Sequence, residues 1–328
     1  MGKKAFVTGG TGFIGSHLVE YLLAEGYEEV RCLVRNRKRW LEDIEGVQII
    51  RGDLHHKEAL EQGIEGVDEV YHLAGVTRSR TPEGYYRGNV EATLNVLEAV
   101  KSVNPEVNKV LITSSLAAVG PSRDGKPLTE EAPLRPISEY GRSKAEMERR
   151  VRPCMDTLPI TIVRPPAVYG PREADIYTFF RLIARGICPV IGPVDQPRLS
   201  LVHVHDLVRG MHQAASSEKT SGEVYFLGSE QFYSWGEIRD AAQQAVNRKV
   251  VTLSVPPGAV QVIATLVEKV AGFLGHYPPL NREKARELVE PWLCAVDKAK
   301  EHFGYMQTVS LEEGISMTIN WYKQAGWL

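Results

Sequence analysis

Tyr140 and Lys144 stand four residues apart in the run YGRSK, and Ser115 lies upstream where an apolar run opens into a loop. Spacing of four puts phenol and ammonium on one helix face, close enough for the cation to act on the phenol. A phenol titrates near about 10, so it needs a positive neighbour to exchange protons around neutrality. The Ser115 hydroxyl, at an adjacent strand end, would hydrogen-bond a substrate oxygen. Alone, a Tyr and Lys four apart is common on solvated helices, so its meaning depends on the elements around it.

The element that would position a reactive group beside them is AFVTGGTGFIG at 5 to 15. Ala5, Phe6 and Val7 read as a buried strand, and a helix is expected from about Ile14 to Glu25. Between them Gly9, Gly12 and Gly15 give a tight turn, backbone approach to a pyrophosphate, and close helix packing. The helix N-terminus offers its positive end to that phosphate. The run also fits the spacing Gly10, Gly12, Gly15, so the pattern alone does not fix the subfamily.

Further strands are expected at Val30–Val34, Val47–Ile50, Val70–Ala74 and Lys109–Thr113, alternating with helices, one of them from about Tyr86 to Val100. That alternation implies a Rossmann-type α/β fold, a doubly wound parallel sheet covered on both faces. Ligands then sit at the strand carboxyl ends, where Gly9, Arg35, Asp53, Gly75 and Ser115 converge. The second strand ends at Arg35, with Arg37, Lys38 and Arg39 following, where such folds hold an acid against a ribose hydroxyl. A guanidinium there favours the 2'-phosphate of NADP over NAD, which stays possible. Asp53 would accept from an adenine amino group, with Leu54 over the base, or cap the helix that starts near His56. His72 reads as a buried histidine bonded to a neighbour, and Asn89 as a residue that binds backbone.

Composition agrees with small-molecule chemistry. The 328 residues carry 43% hydrophobic side chains and a formal net charge of −2, with no basic field for nucleic acid. Cys32, Cys154, Cys188 and Cys294 are scattered, without metal-ligand spacing or a disulfide framework, so no metal is expected. Met1–Lys4 leads straight into the first strand, which leaves no room for a targeting segment and predicts a cytoplasmic protein. The apolar run at 258–274 is broken by Glu268 and Lys269 and is too short for a bilayer span; it reads as a packed amphipathic helix, with shallow membrane contact or a dimer face as alternatives.

Taken together, TGGTGFIG at 8–15, RGDL at 51–54, HLAG at 72–75, TSS at 113–115, YGRSK at 140–144 and RPPAVYGP at 164–171 resemble, in order, the extended short-chain dehydrogenase/reductase family of the epimerase/dehydratase type. The resemblance implies that Tyr140 is the acid/base, that Lys144 holds the nicotinamide ribose and tunes the phenol, and that Ser115, 25 positions before the tyrosine, orients the reacting oxygen. It places Thr11, Phe13, Ile14, Leu73, Ala74, Gly75 and Thr113 among the cofactor contacts, and Pro165 and Val168 along the nicotinamide. It also implies a homodimer through the helices near 86–100 and 140–152. The dinucleotide domain is expected over 1–168, with a returning strand and helix near 199–216, and a smaller mixed substrate domain over 169–328.

Three functions follow. The first is an NADP-preferring oxidoreductase that moves a hydride between nicotinamide and a secondary alcohol or ketone. The second is a nucleotide-sugar 4-epimerase with tightly held NAD, and the third a redox sensor that binds the dinucleotide without catalysis. Nucleotide-sugar members carry an arginine four residues before the position of His203, where this chain has Leu199, with Arg198 one place earlier. A shift of one on a strand reverses the face. Leu116 and Ala117 replace the acid pair that dehydratases use, so dehydration is not expected. RCLVR at 31–35 resembles dihydroflavonol reductases, and 256–280 with NREKAREL resembles 3β-hydroxysteroid dehydrogenase relatives, which suggests a pocket for a hydrophobic alcohol or ketone.

Overall fold

The computed structural model describes residues 2–42, 44–260, 262, 264–265 and 282–328. In chain order the first elements are β1 (Lys4–Thr8), α1 (Phe13–Ala24), β2 (Glu29–Val34), β3 (Val47–Arg51), α2 (Lys57–Ile64), β4 (Glu69–His72), α3 (Pro82–Tyr86), α4 (Ala92–Val103), β5 (Lys109–Thr113), α5 (Glu139–Val151) and β6 (Ile160–Arg164). There follow β7 (Ala167–Tyr169), α6 (Tyr177–Ala184), β8 (Ile187–Ile191), β9 (Leu199–His203), α7 (Val204–Ser216), β10 (Val224–Phe226), β11 (Phe232–Tyr233), α8 (Trp235–Val246) and β12 (Val251–Val255). Helices 282–287, 297–303 and 311–324 close the chain.

Seven strands form one sheet in the order β10-β6-β5-β4-β1-β2-β3, and every pairing in it is parallel. The period of two explains the layers. Ala5 and Val7 enter a core with Leu18 and Leu22 of α1 and Leu207 and Met211 of α7. Phe6 enters the opposite core with Leu60, Leu97 and Met147 of α2, α4 and α5. The strands read as continuous apolar runs because both faces are buried.

The structure corrects one expectation about the return to this sheet. Helix Val204–Ser216 does pack on it, but the strand at 199 does not join it. Leu199–His203 lies in a separate three-stranded sheet, β11-β9-β7, and the strand that extends the large sheet beside β6 is Val224–Phe226. Only Pro165 and Pro166 separate β6 from β7, so the chain leaves the large sheet there, and β9 pairs with β7 in parallel. Helix α7 then supplies the crossover to β10.

The expected helix at 86–100 begins earlier, at Pro82, capped by the Thr81 hydroxyl, and passes through a π-helical turn at Arg87–Glu91. A third core joins Tyr169, Phe180, Leu201, Ile238, Ile315 and Tyr322 beneath the smaller sheets. Of the apolar run at 258–274, helical backbone is seen at 258–260, 262 and 264–265, and the rest lies outside the described residues. Among those described, no helix is long and apolar enough to cross a membrane.

Candidate active site

The glycine turn is built as its spacing predicts. Gly9 has φ +80, and a Cβ there would lie 2.7 Å from the Ala74 amide nitrogen; one on Gly15 would lie 2.1 Å from the Gly9 carbonyl oxygen. Only bare backbone lets β1, α1 and the Leu73–Ala74 segment meet this closely. Gly12 is the N-cap of α1 and offers no side chain, so no side chain caps the helix start formed by Phe13, Ile14 and Gly15. That is a donor set suited to a pyrophosphate. Thr11, Gly12, Phe13 and Ile14 are partly exposed around it.

At the far end of the sheet tips, Ser138 accepts from the Gly141 amide and starts α5, which carries Tyr140 and Lys144 one turn apart. Lys144 is buried and donates to the Thr113 carbonyl at 2.8 Å. Ser115 accepts from the Ala117 amide at 3.1 Å, and its hydroxyl lies close enough to the Tyr140 phenol to act on it. The Ser115 hydroxyl thus comes to the Tyr140 phenol, and Lys144 stands one turn further along the same helix. Beside them a Cβ on Gly75 would sit 2.8 Å from Asn89 Oδ1 and 3.3 Å from Lys144 Nζ, so glycine leaves the space in front of the ammonium open. The Thr113 hydroxyl is buried with no hydrogen-bond partner among the described residues. A nicotinamide dinucleotide laid from the α1 terminus to Lys144 fits this bare backbone and unspent donor set.

Burial sets the electrostatics. It pushes the Tyr140 phenol up to about 12, against the opposing hydrogen bond from Ser115, while the Glu287 carboxylate adds to the rise. It pulls the Lys144 ammonium down to about 8, with Glu148 acting in the other direction. His72 is held neutral, lowered to about 3 by burial and then by Lys144. Its Nδ1 meets the Thr8 hydroxyl at 2.7 Å and its Nε2 the Thr93 hydroxyl at 2.9 Å. Thr93 donates onward to the Asn89 carbonyl, so Nε2 carries the proton. His72 is thus a structural residue of the sheet, as expected. Asn89 also behaves as expected: it accepts from the Val76 amide and donates to the Val76 carbonyl and to Ser143.

Two supports were not visible in the sequence. Arg164 and Glu148, both fully buried, form a two-point pair at 2.9 and 2.6 Å, and Ser114 donates to the same carboxylate. The pair pins α5 to β5 and β6. The Glu283 carboxylate, from helix 282–287, accepts from the Glu139 amide and from Arg142, so it ties the C-terminal part of the chain to the start of α5. Only tertiary contact brings these partners together, although arginine in a strand of β-branched residues is a signal that could have been read.

At the other end of the proposed groove, Arg35 is exposed at the tip of β2 and Asp53 is exposed, its carboxylate accepting from the His55 amide ahead of α2. Leu54 is partly buried against the second core. A cavity of about 1020 Å³ opens beside Phe13, bordered by Arg37, Lys38, Arg39, Arg51 and Arg172, with Glu42, Glu173 and Asp175 also on its wall. Arg172 is held by Ser16 and Glu20 and lies over the Trp40 ring. Pro165 is buried and its carbonyl accepts from the Leu116 amide, and Val168 packs against the first core. Among the described residues no group of His, Cys, Asp or Glu could hold a metal ion.

A parallel sheet of this order, with a glycine turn and a Ser-Tyr-Lys cluster at its carboxyl edge, defines an NAD(P)-dependent enzyme of the extended short-chain dehydrogenase/reductase class. The profile of the NAD dependent epimerase/dehydratase family matches residues 5–228, and the chain belongs to that family. It is 30% identical to a ceramide reductase of Caulobacter vibrioides, over 98% of this chain and 95% of that one. It is 26% identical to a 2-alkyl-3-oxoalkanoate reductase of Shewanella oneidensis, over 95% and 84% of the two chains. The fold is shared with a UDP-glucuronic acid 4-epimerase of Bacillus cereus solved with UDP-glucuronic acid and NAD, at TM-score 0.79 and 23% identity over 98% and 99% of the chains.

Proposed function

We propose that the protein is an NADP-preferring reductase of a ketone on a lipophilic substrate, with Ser115, Tyr140 and Lys144 as its catalytic residues. The observation that carries this reading is that α5 sets Tyr140 and Lys144 one turn apart, with Lys144 buried on the Thr113 carbonyl and Gly75 leaving the space before its ammonium open. Bound nicotinamide supplies the hydride for such a reaction. Ser115 holds the substrate oxygen, and Tyr140 gives its phenolic proton to that oxygen as charge develops on it. Lys144, held by the Thr113 carbonyl, provides the positive charge that makes loss of that proton affordable. Gly9, Thr11, Gly12, Phe13, Ile14 and Gly15 would take the pyrophosphate, with Leu73, Ala74, Gly75, Pro165 and Val168 along the rest of the cofactor.

The basic residues support NADP. The second strand ends in Arg35 rather than an acid, and Arg37, Lys38 and Arg39 border the cavity beside Phe13. Charge reversal of Arg35 or Arg37 is expected to weaken NADPH binding by about tenfold and leave NADH binding unchanged. Titration of both cofactors against the cofactor-free protein reads this directly.

The name of a ceramide reductase at 30% identity, and that of an alkyl-oxoalkanoate reductase, favour a carbonyl on an alkyl chain over a sugar nucleotide. The epimerase reading is further weakened by Arg198. Its guanidinium is taken by the Phe232 carbonyl and by Glu237 at 3.4 Å, so it is not free for a diphosphate. A medium-chain 3-oxo ester with NADPH is the test substrate. Net oxidation of NADPH supports the reductase, whereas cofactor that co-purifies and shows no net turnover would favour the epimerase. Tyr140→Phe should lower kcat by about 10²–10⁴ and preserve NADPH affinity; unchanged turnover would sink the assignment of the acid.

A further inference from the structure

Four large apolar side chains gather on one outer face of the smaller part of the molecule. Ile187, Val251, Leu253 and Val262 are 38, 65, 51 and 61% exposed, and among the described residues only Tyr86 and Met306 are comparable. Strands β8 and β12 run parallel, with Ile187 beside Val251 and Pro189 beside Leu253. Residues paired in register point the same way, so these side chains share a face.

Register fixes that face outward. The alternate residues Cys188 and Val190 are buried in the third core, Thr252 receives the Arg239 guanidinium, and the Ser254 hydroxyl donates to the Gly192 carbonyl. The helical turn that starts at 257 brings Val260 and Ala264 onto Ile191 and Val255, which leaves Val262 on the outside. A slip of one residue would hide the apolar set and expose the core. Exposure here is therefore a property of the fold.

Charge selects the occupant. Neither 185–194 nor 247–265 contains an acidic residue, and together they carry three cations, Arg185, Arg248 and Lys249. All three lie where the two strands begin: the Val251 amide donates to the Gly186 carbonyl, and Arg248 donates to the Ala184 carbonyl at 3.2 Å. Helix 282–287 packs Ala285 into the same cluster but turns Glu283 to Arg142 and Glu287 to Lys284. Two strands with an apolar face, a cationic edge and no acid of their own match an anionic bilayer, whose phosphates take the cations while its acyl boundary takes the side chains. A second copy across a two-fold axis would present the same two strands, which offer these cations no acid.

We propose that the outer face of the β8–β12 pair is a docking surface for an anionic lipid bilayer. Ile187, Val251, Leu253 and Val262 enter the headgroup boundary, and Arg185, Arg248 and Lys249 meet lipid phosphates. A cavity of about 420 Å³, bordered by Ile191, Gly192, Pro257 and Arg123, opens at the far ends of the same strands. Its use as an entrance for a bilayer-held ketone rests on the reductase reading; the docking itself does not.

Flotation of the full chain with vesicles of phosphatidylcholine alone, or of equimolar phosphatidylcholine and phosphatidylglycerol, tests the surface. Binding is expected only to the anionic vesicles and is expected to weaken as salt rises. Val251→Ser with Leu253→Ser, and separately Arg248→Glu with Lys249→Glu, should each reduce binding by about tenfold or more while NADPH binding and melting stay as in the unaltered protein. Equal binding to both vesicle types, or full binding by either pair of variants, would overturn the proposal. So would an absence of vesicle binding together with a dimer, seen by light scattering, that the serine variants dissolve. Vesicle binding without ketone turnover would count against the reductase reading alone, and turnover without vesicle binding against the docking surface alone.

Discussion

Lys144 and Tyr140 are displaced in opposite directions by the same burial, the ammonium down to about 8 and the phenol up to about 12. The first displacement sets the expected pH profile. Below about 8 the lysine is charged, and as pH rises through that value this charge, one helical turn from Tyr140, is lost. kcat/KM for reduction, which reports free-enzyme ionisations, should therefore fall above pH about 8, and Lys144→Arg should move that limb upward. A flat profile to pH 10, on the order of the unperturbed lysine value, would show that the lysine plays no part. Glu148 acts through Lys144 and Arg164. Glu148→Gln leaves the Arg164 charge buried with a weaker partner, and a loss of about 3 kcal/mol in a denaturant melt is expected.

Elements bring these residues into reach, and glycines set how close the elements come. Gly15→Ala would drive a methyl group into the Gly9 carbonyl, so the turn must open. NADPH binding, followed by fluorescence, should then be lost while the strands of the large sheet persist. At Gly75 an added methyl would meet Asn89 Oδ1 at 2.8 Å and Lys144 Nζ at 3.3 Å, so Gly75→Ala must displace a hydrogen-bonded asparagine as well as the ammonium. Melting temperature and kcat should therefore both fall. The contact from Glu283 to the first amide of α5 places a negative charge at a helix N-terminus. Glu283→Ala is expected to cost about 1 kcal/mol of stability, measured by the same denaturant melt.

The whole molecule stores several neutral histidines. His17 is lowered to about 4, and His72 and His203 to about 3, in each case first by burial. A histidine depressed in the fold binds its proton more readily when unfolded, so its contribution is complete above the unfolded value and is lost as pH falls toward the folded one. Stability should thus decline from pH about 6.5 downward, by on the order of 1 kcal/mol per pH unit for each such group. A melting temperature that holds constant between neutrality and pH about 5 would contradict this. Added NADPH should stabilise the chain by about 2.7 kcal/mol at a hundredfold excess over Kd.

Much of this was legible in the amino-acid order because it is local. A strand, a glycine turn and a helix are adjacent in the chain, and a period of two or of four fixes which side chains share a face. The parallel sheet, the cofactor turn and the shared face of Tyr140 and Lys144 follow from that. What joins distant segments did not. The approach of Ser115 to Tyr140, the Glu148–Arg164 pair and the Glu283 contact depend on how elements pack. The same holds for the strand that completes the large sheet. Leu199–His203 and Val224–Phe226 are both short apolar runs, and only the exit of the chain after Arg164 and the crossover through α7 decide which pairs with β6. The outward apolar face of β8 and β12 is likewise a consequence of register, since alternation in a strand defines two faces and only the packed structure decides which of them meets the core.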